Sequence, residues 1–368
     1  MTAAWPLVRL SALALALSVA GSEIARARPL LWQTNSNGDD LHIFDLESRK
    51  LVRRLEVGPE PHGIAASADG RYVYVSLEAN GRPHGELLWI DPRSYEIRYR
   101  MTLCREPHAL ATTPDGRWIY IPCRDEHYWV VDAEKRVVVA RIRTGGRPHN
   151  TRVSRDGRFV YLSPMGAPKR VTIVDVSAGH SVVGEIPFGS SVRPSALSED
   201  GRLFHHVDGL NGFRVADVER RELVATVEHR TPLGWLLVHP KLGWFGPDGL
   251  QRCHGLAVRP DQREVWSACG ASVTVHAIDG ARYPEVARIE LPGKAYWLTF
   301  SPDDRFALVA LAEADEVAMV DTASRRIVAH LLAGAAPKRN LVIDLETPPA
   351  RQSLFRRRTG SSIRTSRR

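Results

Sequence analysis

The tetrapeptide HIFD, residues 42–45, recurs along the chain as LWID at 88–91, WVVD at 129–132, TIVD at 172–175, RVAD at 214–217, HAID at 276–279 and AMVD at 318–321. Each copy ends a β-prone run in an aspartate, and successive aspartates lie 46, 41, 43, 42, 62 and 42 residues apart. A repeat of about 40 residues with strand and turn features indicates a radial β-repeat fold. Seven copies therefore predict an all-β, seven-bladed β-propeller.

A second motif divides each repeat into strands. The segment PHGIAASADGRYVYV, residues 61–75, recurs as PHALATTPDGRWIYI from Pro107 and PHNTRVSRDGRFVYL from Pro148. Both arms are rich in β-branched and aromatic residues, and the Asp-Gly between them favours a tight turn. Each unit thus predicts an inner strand after Pro-His and a second strand after Asp-Gly-Arg. A third strand ends at the repeated aspartate, and an outer strand follows it.

The two ends of the repeat region predict how the ring closes. The last unit has an inner strand at about residues 340–345, and no second strand follows it. The run LLWQTNS, residues 30–36, is a strand with no inner strand before it. We predict that these two strands complete one blade, so that residues 28–345 form a propeller of four-stranded blades closed by N- and C-terminal strands. Such closure leaves few open sheet edges.

The N-terminal residues 1–27 have the composition of a secretory signal peptide. The apolar run at residues 10–20 is too short to span a bilayer. A small-residue cleavage pattern follows it at residues 25–27, and residues 18–20 at its end are a second candidate. The alternative is an uncleaved N-terminal anchor. We predict a periplasmic or secreted protein with no transmembrane helix in the mature chain.

Residues 346–368 are predicted to form a disordered basic tail. The last 18 residues hold seven arginines and no acid, which accounts for most of the formal net charge of +8. The propeller itself is therefore near neutral. We expect no specific nucleic-acid binding.

Four cysteines in an exported chain suggest disulfides. Cys123 and Cys269 each follow the turn aspartate of their unit by eight residues, and Cys253 precedes its own turn aspartate by eight. This symmetry favours a Cys253–Cys269 pair, with Cys104–Cys123 as the second. Free thiols or metal ligands are the alternative, and no Cys-x-x-Cys-His motif supports covalent haem.

These repeats resemble the YVTN-type seven-bladed propeller family. The resemblance rests on the third strands ending in aspartate and on the inner hairpins typified by residues 61–75, and it covers roughly residues 30–345. It implies a propeller exported by a bacterium or archaeon. More distant relatives of that family include lactonases, haem-binding propellers of denitrification and amine dehydrogenase heavy chains. One propeller fold supports many functions.

Four histidines hold equivalent positions at the start of inner strands. Because inner strands surround the central channel, we expect His62, His108, His149 and His254 to ring one channel mouth. Converging imidazoles can bind a transition metal or act as acid and base. The alternative is a repeat-consensus turn in which the histidines only decorate the rim.

The fifth unit carries the one long insertion, at residues 228–252. A long loop within a compact repeat is usually functional or disordered. We predict that Trp235, His239 and Trp244 cover the channel mouth and contribute to the ligand site. Packing on the rim is the alternative.

The sequence predicts an exported, monomeric binding scaffold with its site at the channel mouth. The ligand would be a small molecule, a cofactor such as a transition metal, or a partner protein. The alternative is an enzyme, either a lactonase-like hydrolase or a redox protein with a channel-bound metal or cofactor. Motifs for phosphate binding, a nucleophile elbow or a zinc protease are absent from the sequence.

Overall fold

The computed structural model describes residues 29–229 and 253–345. Within these ranges the chain forms 28 β-strands and no helix, and the strands assemble into seven antiparallel four-stranded sheets. The sheets are the blades of a β-propeller, which confirms the predicted fold and blade count. In the same ranges there is no helix long and apolar enough to cross a bilayer.

The four strands of every blade follow one order from the channel outwards. The inner strands are β4 Pro61–Ala66, β8 Ala111–Thr112, β12 Arg147–Val153, β16 Val192–Leu197, β20 Cys253–Val258, β24 Ala295–Phe300 and β28 Pro337–Asp344. The second strands are β5 Val73–Leu77, β9 Trp118–Pro122, β13 Phe159–Met165, β17 Arg202–Val207, β21 Glu264–Cys269, β25 Phe306–Leu311 and β1 Pro29–Asn35.

The third strand of each blade is buried, and the outer strand faces solvent. The third strands are β6 Glu86–Ile90, β10 His127–Asp132, β14 Arg170–Asp175, β18 Gly212–Asp217, β22 Ser272–Ala277, β26 Glu316–Asp321 and β2 Asp40–Asp45. The outer strands are β7 Ile97–Thr102, β11 Val137–Arg143, β15 Ser181–Pro187, β19 Glu222–Glu228, β23 Glu285–Glu290, β27 Arg326–Leu332 and β3 Lys50–Glu56. Third strands are almost entirely buried, whereas outer strands are mostly exposed.

The closing blade combines both ends of the propeller, as predicted. Its strand order is β28-β1-β2-β3, and β1 pairs antiparallel with β28 from Pro29↔Asp344 to Asn35↔Pro337. The inner strand begins at Pro337, a little earlier than the predicted residue 340. The backbone N–H of Ser36 donates to the Ala336 carbonyl at 3.1 Å and extends this pairing beyond the strands.

The Asp-Gly turns use the predicted local chemistry. In the first of them, the Asp69 carboxylate accepts hydrogen bonds from the Ser67 hydroxyl at 2.7 Å and from the Arg71 backbone N–H at 3.0 Å. Gly70 has a φ of 68°, a left-handed conformation that glycine adopts at little cost. The turns therefore stabilise the blade hairpins at the end of the channel away from the Pro-His segments.

The core lies between neighbouring blades. Trp32 of the closing blade packs in one cluster with Ile64 and Val75 of the next blade, and Trp89 packs with Ile119 across the following interface. Both indoles are fully buried. Because each blade contributes to two such clusters, stability depends on the ring being complete.

Both predicted cysteine pairs are present as disulfides. Cys253 and Cys269 lie opposite each other in the β20–β21 ladder, with Cα atoms 3.9 Å apart. Cys104 and Cys123 are 5.8 Å apart at Cα and join the segment before β8 to the end of β9. In the described ranges no cysteine is free. Two disulfides fit a protein that is exported to an oxidising compartment.

We expect non-reducing peptide mapping of the protein to recover these two linked pairs. Replacing Cys104 and Cys123 together by Ser should lower the free energy of unfolding by about 3 kcal/mol, because the bond closes a loop of 19 residues in the unfolded chain. Urea unfolding with and without reductant measures the loss. Complete alkylation of all four thiols without reductant would contradict the pairing.

Candidate functional site

The structure brings the four predicted histidines together at one mouth of the channel. The ring centroids of His62 and His108 are 3.9 Å apart, and those of His108 and His149 are 4.1 Å apart. His254 lies 5.9 Å from His149 and stacks on Tyr296 at 3.9 Å. The imidazoles thus form a continuous wall around the channel mouth and are not dispersed over the rim.

Glycines allow this close approach of the inner strands. Gly63 follows His62, and a Cβ atom there would lie 2.3 Å from the His108 carbonyl oxygen. At the equivalent position Gly255, a Cβ atom would lie 3.0 Å from Trp297 Cα. A side chain at Gly63 would therefore push the strand of His62 and the segment of His108 apart.

Glu78 supplies a carboxylate between two of the imidazoles. It directly follows β5, so it lies at the channel-mouth end of its blade. Its Oε2 is 3.2 Å from His62 Nδ1, and its Oε1 is 3.4 Å from His108 Nε2. The potential ligand atoms of His62, Glu78 and His108 all lie within 4.8 Å of one another. Within the described residues His149 and His254 do not belong to this set.

The ring nitrogens differ in what they bind. His108 Nδ1 lies 3.2 Å from the His149 carbonyl, and His254 Nδ1 lies 2.9 Å from the Tyr296 carbonyl. Donation from Nδ1–H to these carbonyls leaves each Nε2 with a free lone pair. In the described structure neither ring nitrogen of His62 has a hydrogen-bond partner. Although His62 Nδ1 is close to Glu78, this contact lacks hydrogen-bond geometry.

Burial keeps the imidazoles neutral. It lowers the pKa of His62, His108, His149 and His254 well below the ordinary value, and the positive charge of Arg339 adds to the effect at each of them. Burial also raises the pKa of Glu78, while the neighbouring His108 and Lys338 oppose that rise. Neutral imidazoles with free lone pairs are the form that binds metal ions.

Three predicted site residues cannot be placed. Trp235, His239 and Trp244 lie outside the described residues, so their position over the channel stays a prediction. Conversely, the pairing of Glu78 with two imidazoles could not be predicted. Its position after the second strand of its blade indicates only that it faces the same mouth.

A second cluster of ligand-type atoms has a structural role. His206, Cys253 and Cys269 also lie close together, but the two sulfur atoms are bonded to each other. The ring nitrogens of His206 lie 2.7 Å and 3.1 Å from the carbonyls of Gly212 and Gly255. The disulfide leaves no thiolate, so this cluster is not a metal site.

Solved structures share the fold of this chain at low sequence identity. A periplasmic gluconolactonase of Pseudomonas aeruginosa is 18% identical with a TM-score of 0.69, and the match covers 87% of this chain and 100% of that protein. A Bacteroides fragilis protein described as a candidate 6-phosphogluconolactonase is 14% identical with a TM-score of 0.69, over 88% and 99% of the two chains. Hydrazine synthase of Kuenenia stuttgartiensis is 16% identical with a TM-score of 0.63, over 77% and 95%.

These likenesses establish the fold alone. No protein-family model matches the chain, and neither does any curated protein. The resemblance to the YVTN-type family therefore stays a prediction that the propeller architecture supports.

Proposed function

We propose that this chain is an exported propeller that binds a divalent transition-metal ion at the channel mouth through His62, Glu78 and His108. The observation that carries the proposal is a buried imidazole, His62, whose two nitrogens have no hydrogen-bond partner in the described structure and which faces the partly buried carboxylate of Glu78. Burying a polar group without a hydrogen-bond partner costs free energy. A metal ion bound to a His62 nitrogen would act as that partner.

The chemistry of the donors favours zinc or ferrous iron. Two imidazoles and one carboxylate are a common ligand set for these ions, and such a set leaves at least one position for water or a substrate. His108 has the usual support of a metal-bound imidazole, because its other nitrogen is held by the His149 carbonyl. His149 and His254 follow His108 around the channel mouth. They would contact a substrate or ligand bound to the metal ion.

Zinc titration of the full-length protein tests this site. After chelation and dialysis, Zn²⁺ should bind with one-to-one stoichiometry by calorimetry, and Co²⁺ should give a visible absorption band. Replacing Glu78 by Gln or His62 by Ala should weaken Zn²⁺ binding at least about 100-fold, the upper end of the loss caused by outer-shell partners alone.

His330 and Glu316 provide the matched control. They form an exposed imidazole–carboxylate pair at 3.0 Å on an outer hairpin, far from the channel. The His330→Ala and Glu316→Gln variants should bind Zn²⁺ as the parent does. Equal Zn²⁺ affinity in the parent and the Glu78→Gln variant would refute the proposed ligands.

Hydrolysis of a lactone is a second candidate function. The carboxylate of Glu78 beside His62 and His108 has the residue types of a general base and general acid. Two proteins of the same fold are described as lactonases, which makes lactones the first substrates to test. Turnover of an aldonolactone panel that is lost in the Glu78→Gln variant would support this activity, and no turnover by the metal-loaded protein would exclude those substrates.

We further propose that the mature chain begins near residue 28 and acts as a monomer in the periplasm or outside the cell. The two disulfides support export. N-terminal sequencing of the protein recovered from the periplasm or the medium tests the cleavage site, and gel filtration tests the monomer; a retained Met1 in a soluble cytoplasmic fraction would contradict export.

A further inference from the structure

The channel contains a separate cavity on the side of the Asp-Gly turns. Its volume is about 570 Å³, and it is lined by inner-strand residues that follow the histidines in the chain. We propose that this cavity binds a small organic carboxylate between the guanidinium groups of Arg152 and Arg339. This site is distinct from the metal site and does not depend on it.

Small side chains in the other blades make room for the ligand. Ala65, Ala111 and Ala257 each lie three residues after a channel-mouth histidine and line the cavity. Arg152 holds the same position relative to His149. One blade therefore places a long cation where its neighbours have methyl groups, and the cavity wall is otherwise apolar or uncharged.

Arg339 closes the cavity towards the histidines. It lies in β28 at the position equivalent to Gly63 in β4. Its guanidinium carbon is 3.7 Å from the centre of the Trp297 ring. Arg152 approaches the same indole at 5.8 Å. Both cations are thus held near one aromatic ring and are positioned for a planar anion.

Neither guanidinium has a charged partner. Arg152 donates to the Ser195 carbonyl, and Arg339 donates from Nη2 to Asn150 Oδ1 at 2.9 Å. The described residues place no carboxylate within ion-pair distance of either arginine, and Arg339 Nε, although buried, has no hydrogen-bond partner. Arg339 is only 6% exposed. Arg152 is partly buried. Two neighbouring cations that are removed from much of their water and have no carboxylate partner are costly unless an anion joins them.

The charges of the two arginines also favour the binding of an anion. Burial lowers the pKa of Arg339 to about 9 and that of Arg152 to about 10, so both remain cationic at neutral pH but at a cost in solvation. A carboxylate accepts two parallel N–H bonds from an arginine fork. The cavity is much larger than a bare inorganic ion, and its wall offers aliphatic side chains such as Val153 and Leu298 to an organic body.

Thermal unfolding of the full-length protein in sodium salts tests the carboxylate site. At constant ionic strength, benzoate or hexanoate in place of chloride should raise the melting temperature in a saturable manner. Inorganic phosphate should not reproduce the effect. In the Arg339→Met variant, the concentration of benzoate needed for half of the stabilisation should rise at least tenfold. The Glu316→Gln variant, on an outer hairpin, should respond as the parent does.

Arg193 provides the matched buried control. Unlike Arg339, it pairs with a carboxylate, Asp208, at 2.6 Å. In chloride alone the Arg193→Met variant should melt below the parent, because Asp208 loses its partner, yet it should keep its response to benzoate. The Arg339→Met variant should melt at or above the parent in chloride.

Three results would overturn the proposal. The first is no stabilisation of the parent by either organic acid. The second is an equal response of the parent and the Arg339→Met variant. The third is stabilisation by phosphate alone, which would assign the cavity to an inorganic anion.

Discussion

Deleting residues 30–35 is expected to abolish cooperative folding. These residues form most of β1, which pairs with β28 on one side and with β2 on the other. The deletion removes both ladders from the closing blade and leaves β28 as an open edge. It also removes Leu31 and Trp32, whose side chains are fully buried.

The stability that this deletion removes can be judged from the apolar side chains that it takes out of the core. Each large apolar side chain contributes about 1.5–3 kcal/mol, so the three at Leu30, Leu31 and Trp32 alone approach the net stability of an ordinary domain. Trp32→Ala by itself should cost about 3–5 kcal/mol. Leu51→Ala, on the exposed outer strand of the same blade, is the control and should cost little, because this leucine is 48% exposed.

Circular dichroism, urea unfolding and gel filtration measure the outcome. The deleted protein should aggregate or show no cooperative transition, because an open blade edge invites pairing with other chains. A monomeric deletion variant with the parent's melting temperature would contradict closure through β1.

Acid should destabilise the protein between about pH 6.5 and pH 4, and His205 should contribute strongly. This histidine is fully buried in β17. Its Nδ1 lies 2.8 Å from the Arg193 carbonyl, its Nε2 lies 3.0 Å from the Ser163 hydroxyl, and its ring packs against Phe188. Nδ1–H donates to the carbonyl and Nε2 accepts from the hydroxyl, so a second proton would break the latter bond.

The direction of this pH effect follows from the pKa of His205 in the folded and unfolded states. Burial lowers the pKa of His205 to about 3, while the hydrogen bond to the Arg193 carbonyl opposes this and Arg152 and His206 add to it. In the unfolded chain the group titrates near pH 6.5. Below pH 6.5 this histidine binds a proton in the unfolded chain, whereas in the folded protein it does so only near pH 3. Stability is therefore complete above pH 6.5 and falls as the pH drops, by about 3 kcal/mol at pH 4 for this one group.

Urea unfolding at a series of pH values tests this linkage. The His205→Asn variant should lose less stability than the parent between pH 7 and pH 4, whatever its stability at pH 7. The Leu51→Ala variant, which changes an exposed side chain that carries no titratable group, should keep the parent's pH dependence. An identical slope in the parent and the His205→Asn variant would show that His205 is not held neutral by the fold.

The architecture could be predicted because the relevant information is local and repeated. Seven copies of one strand ending in aspartate, together with the Asp-Gly hairpins, define the blades through alternation and turn chemistry alone. The pairing of Cys253 with Cys269 followed from their symmetric positions in one hairpin. Closure followed from counting strands, since residues 30–36 had no other inner strand to pair with.

The chemistry of the channel was decided only by the tertiary structure. Repeat alignment placed His62 and His108 at one mouth, but whether their rings touch depends on how closely the blades approach, and Gly63 sets that distance. Glu78 lies in a loop outside the repeat consensus, so no periodicity marks its contact with two imidazoles. Arg152 and Arg339 come from blades far apart in sequence and meet at Trp297. Only ring closure sets these distances, because each blade's position depends on all the others.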